Sequence, residues 1–585
     1  MSVECLITDN IDVWTSTVKT KSASGRGSSK KIELYGIKKL RELILELAVR
    51  GKLTSELEFI DSSIQELKNS IEEKASLVKT RKIRADKEVY SAVSLDIFPP
   101  NWQVVHIGQV ANVLGGKRVP KGCKLSDEHT GFIYLRVTDM KNQSVDESEL
   151  RYISEEVFEQ ISRYVINKED VYVTIAGTIG AVGTIPLHLD GVSLTENAAK
   201  LVFRGISKEY LTIMLQSKFV QFQFNEAVNQ MAQPKLSLSS IKQTLVAIPT
   251  MKEQVCIVAK VDELMSLCDQ LEQQTETSIE AHQTLVEVLL NTLTSSADTE
   301  ELMQNWQRIS EHFDALFTTE KSIDTLKQTI LQLAVMGKLV PQDPNDEPAV
   351  KLLERIAEEK AQLIKDKKIK KQKVLPEITE DEKPFELPNG WEWCRFSSIS
   401  NEIATGPFGS MIHKRDYVEG GVPLINPSHM IDSKIVEDQL ITVNEAKASE
   451  LRSYRLFESD IVMARRGEMG RCALVSKREN GWLCGTGSFA LRFNQILLRE
   501  YILLMFKTGY VREYLGGNSI GTTMTNLNHG ILNKMPLLLP PVAQQHRIVA
   551  KVKELMAVCN QLKARLKESQ TTQLHLTDGI IDKAL

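Results

Sequence analysis

The sequence predicts a mixed α/β protein: two α/β domains separated by two long, antiparallel, coiled-coil-like helical segments, arranged as a pseudo-twofold internal repeat. Three observations carry this. KVDELMSLCDQLE (260–272) returns as KVKELMAVCNQLK (551–563), and IKKLRELILELAVRGKLTSE (37–56) returns as IDTLKQTILQLAVMGKLVPQ (323–342). Between these helical segments lie Gly- and Pro-punctuated regions in which β-branched runs alternate with helical ones, the pattern of a mixed domain. The spacing between matched residues drifts only from 286 (Leu47 to Leu333) to 290 (Asp170 to Asp460) and 291 (Glu253 to Gln544), so few net insertions separate the copies.

Composition narrows the class. The chain has 585 residues, 42% of them hydrophobic, with a formal net charge of −4, so nucleic-acid binding must come from local basic patches. Eight cysteines occur without a C-x-x-C pair or a His/Cys cluster of zinc spacing, which reads as free thiols in a reducing cytoplasm and no metal site. No apolar run approaches the ~20 residues of a membrane span, and no signal-peptide pattern opens the chain.

Residues 1–30 end in a Ser-, Gly- and Lys-rich stretch that reads as a flexible extension with no counterpart in the second half. Residues 31–95 form the first helical region. Apolar residues at 37, 40, 44 and 47, and at 323, 326, 330 and 333, make one helical stripe that Gly51 and Gly337 end. A second helix starts near Ser62 or Ser63, with Gln65 and Glu66 at capping-box spacing. Its basic end is matched by Lys365, Lys367, Lys368, Lys370, Lys371 and Lys373, a run that suits either phosphates or a solvated helix face.

The first α/β domain covers 96–250, entered at Trp102; the second covers 381–540, entered at Trp391. Inside them EDVYVTIAGTIGAVG (169–183) aligns with SDIVMARRGEMGRCA (459–473), a strand running into a tight loop with glycines at matching points. YLTIMLQSKF (210–219) and YILLMFKTGY (501–510) read as matching helices. The first long helix spans 251–293 and the last 541–585. Apolar positions at 257, 261, 264, 268 and 271, and at 548, 552, 555, 559 and 562, alternate steps of four and three, as a coiled-coil seam does. The seam residues Val261, Leu264, Cys268 and Leu271, with Val552, Leu555, Cys559 and Leu562, are expected to be buried within the chain. Residues 294–320 read as a linker and 321–380 as the second copy of the helical region.

Catalytic signatures are missing. Gly115-Gly116-Lys117 is too short for a phosphate loop. Asn426-Pro427-Ser428-His429 is similar to an amino-methyltransferase motif but lacks its second Pro and its aromatic residue, and Asp381-Glu382-Lys383 lies in a charged linker, not on a nuclease strand. What the α/β domains offer is loop chemistry for reading DNA edges. Arg465 and Arg466 follow a strand directly, and Arg binds guanine O6 and N7 bidentately; pairing with nearby acids is the alternative. Their counterparts Ile175 and Ala176 are uncharged, so two such loops would read different sequences. Lys117, Arg118, Arg136, Thr138, Asp139, Thr178, Gln233, Lys235 and Ser237 in the first domain are further candidates for base or phosphate contacts. Thr405, Ser410, Asn426, Thr522, Thr523 and Asn526 are those of the second, with turn-forming roles as the alternative for both sets.

The order helix pair, variable α/β domain, long helix, given twice, resembles the specificity subunit of type I restriction-modification systems. LELAVRGKL and LQLAVMGKL, Trp102 and Trp391, and IVAKVDELMSLCDQLE with IVAKVKELMAVCNQLK carry the resemblance over residues 31–585. It implies two target-recognition domains held apart by the helical segments, each reading one part of a split, asymmetric site on double-stranded DNA. It also implies two modification subunits that use S-adenosylmethionine to methylate adenine, and restriction subunits that use ATP and Mg²⁺. This chain would bind no cofactor and catalyse nothing alone. A coiled-coil scaffold with two protein-binding lobes is the alternative, and salt-dependent DNA binding separates the two.

Overall fold

The computed structural model describes residues 3–21, 31–55, 57, 64–80, 90–91, 93, 95–229, 234–468, 470–517 and 526–585. The chain divides into two compact units, Met1–Ser278 with Ser569–Leu585, and Ile279–Glu568. Each is built from the same parts.

In the first unit, helix α1 (Tyr35–Val49) buries Ile37, Leu40, Leu43, Ile44 and Leu47, the stripe that its apolar spacing demands. Its C-terminus closes as a Schellman turn: Gly51 N–H donates to the Ala48 carbonyl at 3.2 Å and Lys52 N–H to that of Leu47 at 2.9 Å. Gly51 sits at φ +68°, where a side chain is strained, and a Cβ there would lie 2.5 Å from Pro99 Cγ and 3.2 Å from Trp102 Cζ2. The helix end therefore docks on the entry of the α/β domain. That explains why the GKL stretch and the Trp recur together.

The α/β domain of this unit holds an antiparallel sheet of β1 (Ala111–Gly115), β2 (Val171–Thr174), β3 (Val182–Thr184) and β4 (Ala198–Phe203), in the order β3-β2-β4-β1. A smaller sheet pairs Tyr134–Leu135 in parallel with Val192–Leu194. The domain closes with Leu245–Ile248 antiparallel to Gln103–His106, and helix α2 (Met251–Ser295) follows. Val261, Leu264, Cys268 and Leu271 of α2 are buried in one cluster with the α1 stripe. Arg41 of α1 reaches Asp269 and Glu272, both at 2.7 Å. Burial pushes the Cys268 thiol up to about 11, which suits a packing residue.

The second unit repeats this assembly. Helix α3 (Glu320–Val335) ends at Gly337 (φ +71°) with the same two turn bonds, and a Cβ on Gly337 would meet Pro388 Cγ at 2.5 Å and Trp391 Cζ2 at 3.1 Å. The strands β5 (Ser400–Thr405), β6 (Ile461–Ala464), β7 (Cys472–Leu474) and β8 (Ser488–Phe493) stand in the matching order β7-β6-β8-β5. Val422–Ile425 pairs in parallel with Leu483–Cys484. Helix α4 (Val542–Ala584) follows, its Val552 and Cys559 buried and its Leu555 and Leu562 half-buried beside α3. Lys563 pairs with Asp324 of α3 at 2.9 Å.

Each long helix begins in one unit and ends in the other, α2 passing from the first into the second and α4 returning. Where each arrives, the same lysine receives it. Lys338 Nζ donates to the carbonyls of Thr294 and Ser296 at 2.9 and 2.8 Å. Lys52 Nζ donates to those of Ala584 and Leu585 at 2.8 and 3.0 Å. A cation at the carbonyl end of a helix satisfies orphan acceptors and opposes the negative pole.

Two expectations need correction. Residues 3–21 are not a flexible extension: Val3–Thr8 and Ile11–Ser16 are helical, and Ile7 and Trp14 are buried in the core of the first unit. Residues 294–320 are not a linker. Asp298 accepts from Glu301 N–H at 2.8 Å and starts helix Thr299–Glu311, while Ile309, Leu316 and Phe317 are buried in the core of the second unit. The two segments are copies of each other, ITDNIDVWTST (7–17) against ISEHFDALFTT (309–319), so the N-terminal residues do have a counterpart. The capping serines Ser62 and Ser63 and the basic stretch 81–87 lie outside the described residues. The lysines from 365 to 373 are exposed, and all but Lys365 lie past the end of helix Ala349–Lys365.

Candidate nucleic-acid interface

In both units three chain segments converge at one strand start, that of β4 in the first and of β8 in the second. In the first, Gly116 N–H donates to the Ala198 carbonyl at 3.1 Å, Ile175 N–H to Asn197 at 2.8 Å, and Leu236 N–H to Ile175 at 2.9 Å. In the second, Gly406 N–H donates to Ser488 at 3.0 Å, Arg465 N–H to Gly487 at 2.8 Å, and Leu527 N–H to Arg465 at 3.1 Å. Main-chain bonds of this kind do not depend on side-chain identity, so the scaffold recurs while the side chains differ. They gather candidates that are far apart in sequence: Lys117, Arg118, Thr178 and Lys235 at one edge, and Thr405, Arg465, Arg466 and Asn526 at the other. The loops after β2 and β6 turn through glycines at positive φ, Gly177 (+81°) and Gly180 (+83°) against Gly467 (+84°) and Gly470 (+79°).

At the first edge Lys117 is exposed, its ammonium 5.7 Å from the Tyr164 ring centroid. The Arg118 side chain is 84% exposed and pairs with Glu196 at 2.9 Å. Partial burial raises the Glu196 carboxyl, but hydrogen bonds from its own N–H, Tyr134 and Thr195, with the Arg118 charge, leave it below the usual range. So exposed a pair contributes little to stability, and Arg118 can exchange Glu196 for a phosphate at small cost. Thr178 and Lys235 are exposed, and Thr138 is exposed while donating to Asp139 at 3.2 Å.

Three expected contacts at this edge are taken up by the fold. Arg136 donates to both oxygens of the buried Asp139, at 3.1 and 2.6 Å, and to the Glu149 carbonyl at 2.6 Å. The two residues brace the loop between them. Ser237 caps helix Leu238–Gln243 by accepting from Ser240 N–H at 2.9 Å. Gln233 lies outside the described residues, as do Thr522 and Thr523.

The second edge is a connected network. Thr405 Oγ1 lies 2.6 Å from His529 Nε2, and the His529 ring packs 5.5 Å from that of Phe489. The Arg465 guanidinium stands 5.9 Å from the same Phe489 centroid, with its Nε buried and without a partner among the described residues. Burial, aided by the Arg465 charge, holds the His529 imidazole below its ordinary pKa, which favours the neutral ring beside the Thr405 hydroxyl. Arg466 Nε donates to Asn526 Oδ1 at 2.6 Å, and a backbone bridge joins the same two residues. Asn426 begins the turn Pro427–His429, accommodated because Gly485 leaves no Cβ against its side chain. Ser410 is exposed in the turn Gly409–Met411.

His529 and Phe489 were not among the candidates. Leu236 and Ser237 match Leu527 and Asn528 at the 291 spacing, so carrying that spacing into the loop places His529 opposite Leu238 and Asn526 opposite Lys235. Glu382, suspect as a nuclease carboxylate only by its neighbours, is bound by Arg395 at 2.6 and 2.7 Å, which holds its carboxyl down to about 2.

A family model for the type I restriction modification DNA specificity domain matches residues 99–281 and again 398–569. The Escherichia coli protein described as the type I restriction enzyme EcoEI specificity subunit is 37% identical, the alignment covering 100% of both chains. The EcoAI specificity subunit of the same organism is 38% identical, again over 100% of both. A solved chain from work on complex assembly and conformational transition of the type I R-M system covers 83% of this chain and 98% of its own at 18% identity. Its TM-score of 0.48 marks a superposition too loose to add to the sequence match.

Proposed function

The chain belongs to the family of type I restriction enzyme specificity subunits, and from that premise we propose that it reads a two-part DNA site, one part with each unit. In this reading it has no catalytic site of its own. It holds two modification subunits, which use S-adenosylmethionine to methylate adenine, and restriction subunits, which use ATP and Mg²⁺.

The observation that carries the proposal is the pair of strand-end edges. The same main-chain bonds present Ile175 and Ala176 in one unit and Arg465 and Arg466 in the other. Bidentate arginine contacts favour guanine, and amides favour adenine. The Asn526 bond to Arg466 Nε fixes the guanidinium plane and leaves its terminal amino groups for a base. Lys117, Arg118 and Lys235 supply charge at the first edge, suited to phosphates that position without specifying. The seam residues keep α2 and α4 rigid within each unit, and outward faces of the helices are left for the modification subunits.

Duplex binding measured against salt tests this. The log of the binding constant should fall linearly with log salt, its slope reporting the phosphates neutralised. Base-resolution methylation mapping in cells that supply the partner subunits should then return one two-part sequence. Binding that ignores salt, with no methylated motif, would leave a protein scaffold as the better account.

A further inference from the structure

The two edges differ in a second loop as well as in the loops after β2 and β6. Gly115-Gly116-Lys117-Arg118 after β1 matches Thr405-Gly406-Pro407-Phe408 after β5. Gly116 and Gly406 each pack against main-chain carbonyls where a Cβ would not fit, so the two loops leave their sheets alike. One then presents two cations, the other buries Pro407 and presents Phe408, which is 67% exposed. The distribution is reciprocal: the unit with charge after its first strand has Ile175 and Ala176 after its second, and the unit with Arg465 and Arg466 has the phenylalanine.

A single exposed apolar side chain is ordinary. Phe408 differs in its setting. Its loop is pinned: Met411 N–H donates to the Phe408 carbonyl at 2.9 Å, and the Tyr454 hydroxyl lies 3.5 Å from Met411 Sδ. A Cβ on the following Gly409 would meet nothing beyond its chain neighbours within 4 Å, so the turn next to Phe408 is open as well. Gly406 and Arg465 are bonded to adjacent residues, Ser488 and Gly487, so the loops bearing Phe408 and Arg465 flank one strand start. Two strand spacings are about 10 Å, the length of about three base steps. A ring held there lies within a few base pairs of what the arginines contact.

We propose that Phe408 is a wedge that stacks on or enters a base step of the half-site read by the second unit, a specificity determinant acting through DNA deformation. Apolar residues inserted at base steps unstack them and make deformable sequences favoured over stiff ones. Arg118, at the matching place, contacts the backbone instead. The second half-site is read partly by how readily it deforms, and the first is not. This rests on the DNA reading proposed above.

The test uses the full chain assembled with its partner subunits, on a duplex carrying the methylation-mapped site with 2-aminopurine placed at successive positions of each half-site. Apart from the target adenines, which the modification subunits flip out of the stack to methylate, wild type should brighten the probe at one step of the second half-site. Phe408→Ala should abolish that rise and weaken binding to the mapped duplex about tenfold, with binding to unrelated duplex changed by less than about twofold; Phe408→Trp should restore both. A rise that survives Phe408→Ala would overturn the wedge, as would unchanged affinity. Loss of partner subunits from the Phe408→Ala assembly, seen by size-exclusion chromatography, would overturn it in favour of a protein contact. Failure of the wild-type complex to bind the mapped duplex would remove the DNA reading itself, a result distinct from the others.

Discussion

The two units share their frame almost residue for residue and differ where the sheet edges open. Gly51 with Trp102 and Gly337 with Trp391 make the same turn against the same ring, and Lys52 and Lys338 receive the ends of α4 and α2 through the same atoms. At the edges Ile175 stands against Arg465, Arg118 against Phe408, and Lys235 against Asn526. Parts that must hold a fixed geometry are constrained by packing on every side. Parts bonded only through the main chain are free to change.

The largest effect should come from breaking the least visible part of the repeat. Trp14→Ala and Leu316→Ala remove matching buried side chains from the two cores. Each should lose about 2–5 kcal/mol in chemical denaturation, Trp14→Ala the more. A Trp14→Ala variant as stable as the parent would mean that residues 3–17 do not belong to the first unit.

Next come the turn glycines. Gly51→Val and Gly337→Val place a β-branched side chain at positive φ and into a proline and a tryptophan, and each should cost about 2–4 kcal/mol by urea unfolding. The comparison sharpens if the two costs agree. A tolerated valine at either site would show that the Trp contact there is not tight.

The smallest effect is one of pH. Lys360 donates to the carbonyls of Ser397 and Ser400 at 2.5 and 2.9 Å, and burial pushes its ammonium down to about 8. The unfolded chain keeps that lysine protonated to about 10.4. Between these values the unfolded state binds more protons, so this group's contribution to stability rises with pH from about 8 upward and is constant below. Lys360→Met should flatten that rise in urea midpoints taken at pH 7.5, 8.5 and 9.5. A rise of unchanged size would place its source elsewhere.

Much of the frame was legible in the chain. Apolar stripes at helical spacing, glycines at helix ends and a four-three seam are local consequences of packing, and all recur at nearly constant separation. The N-terminal copy was hidden because residues 18–36 stand where only 320–322 stand in the second half, which breaks the constant spacing just where the match resumes. A Ser- and Gly-rich insertion then coloured the reading of the helices before it. At the edges the structure brings together loops that are far apart in the sequence, and the bonds within them are not legible from residue type alone. Arg136 and Asp139 satisfy each other and Ser237 caps a helix, local bonds between residues three apart that compete with any ligand, whereas Arg465, Arg466 and Asn526 come together only through the long-range bonds of Leu527 and Asn526 to the loop after β6.

The measurement that tests the central claim most directly is methylation mapping with Arg465 and Arg466 both changed to alanine, in cells supplying the partner subunits. If matched edges read separate parts of the site, the methylated sequences should relax or change in one half and stay as they were in the other. An unaltered motif methylated to the same extent would contradict the assignment of this edge, and a change spread over both halves would contradict the division of reading between the two units.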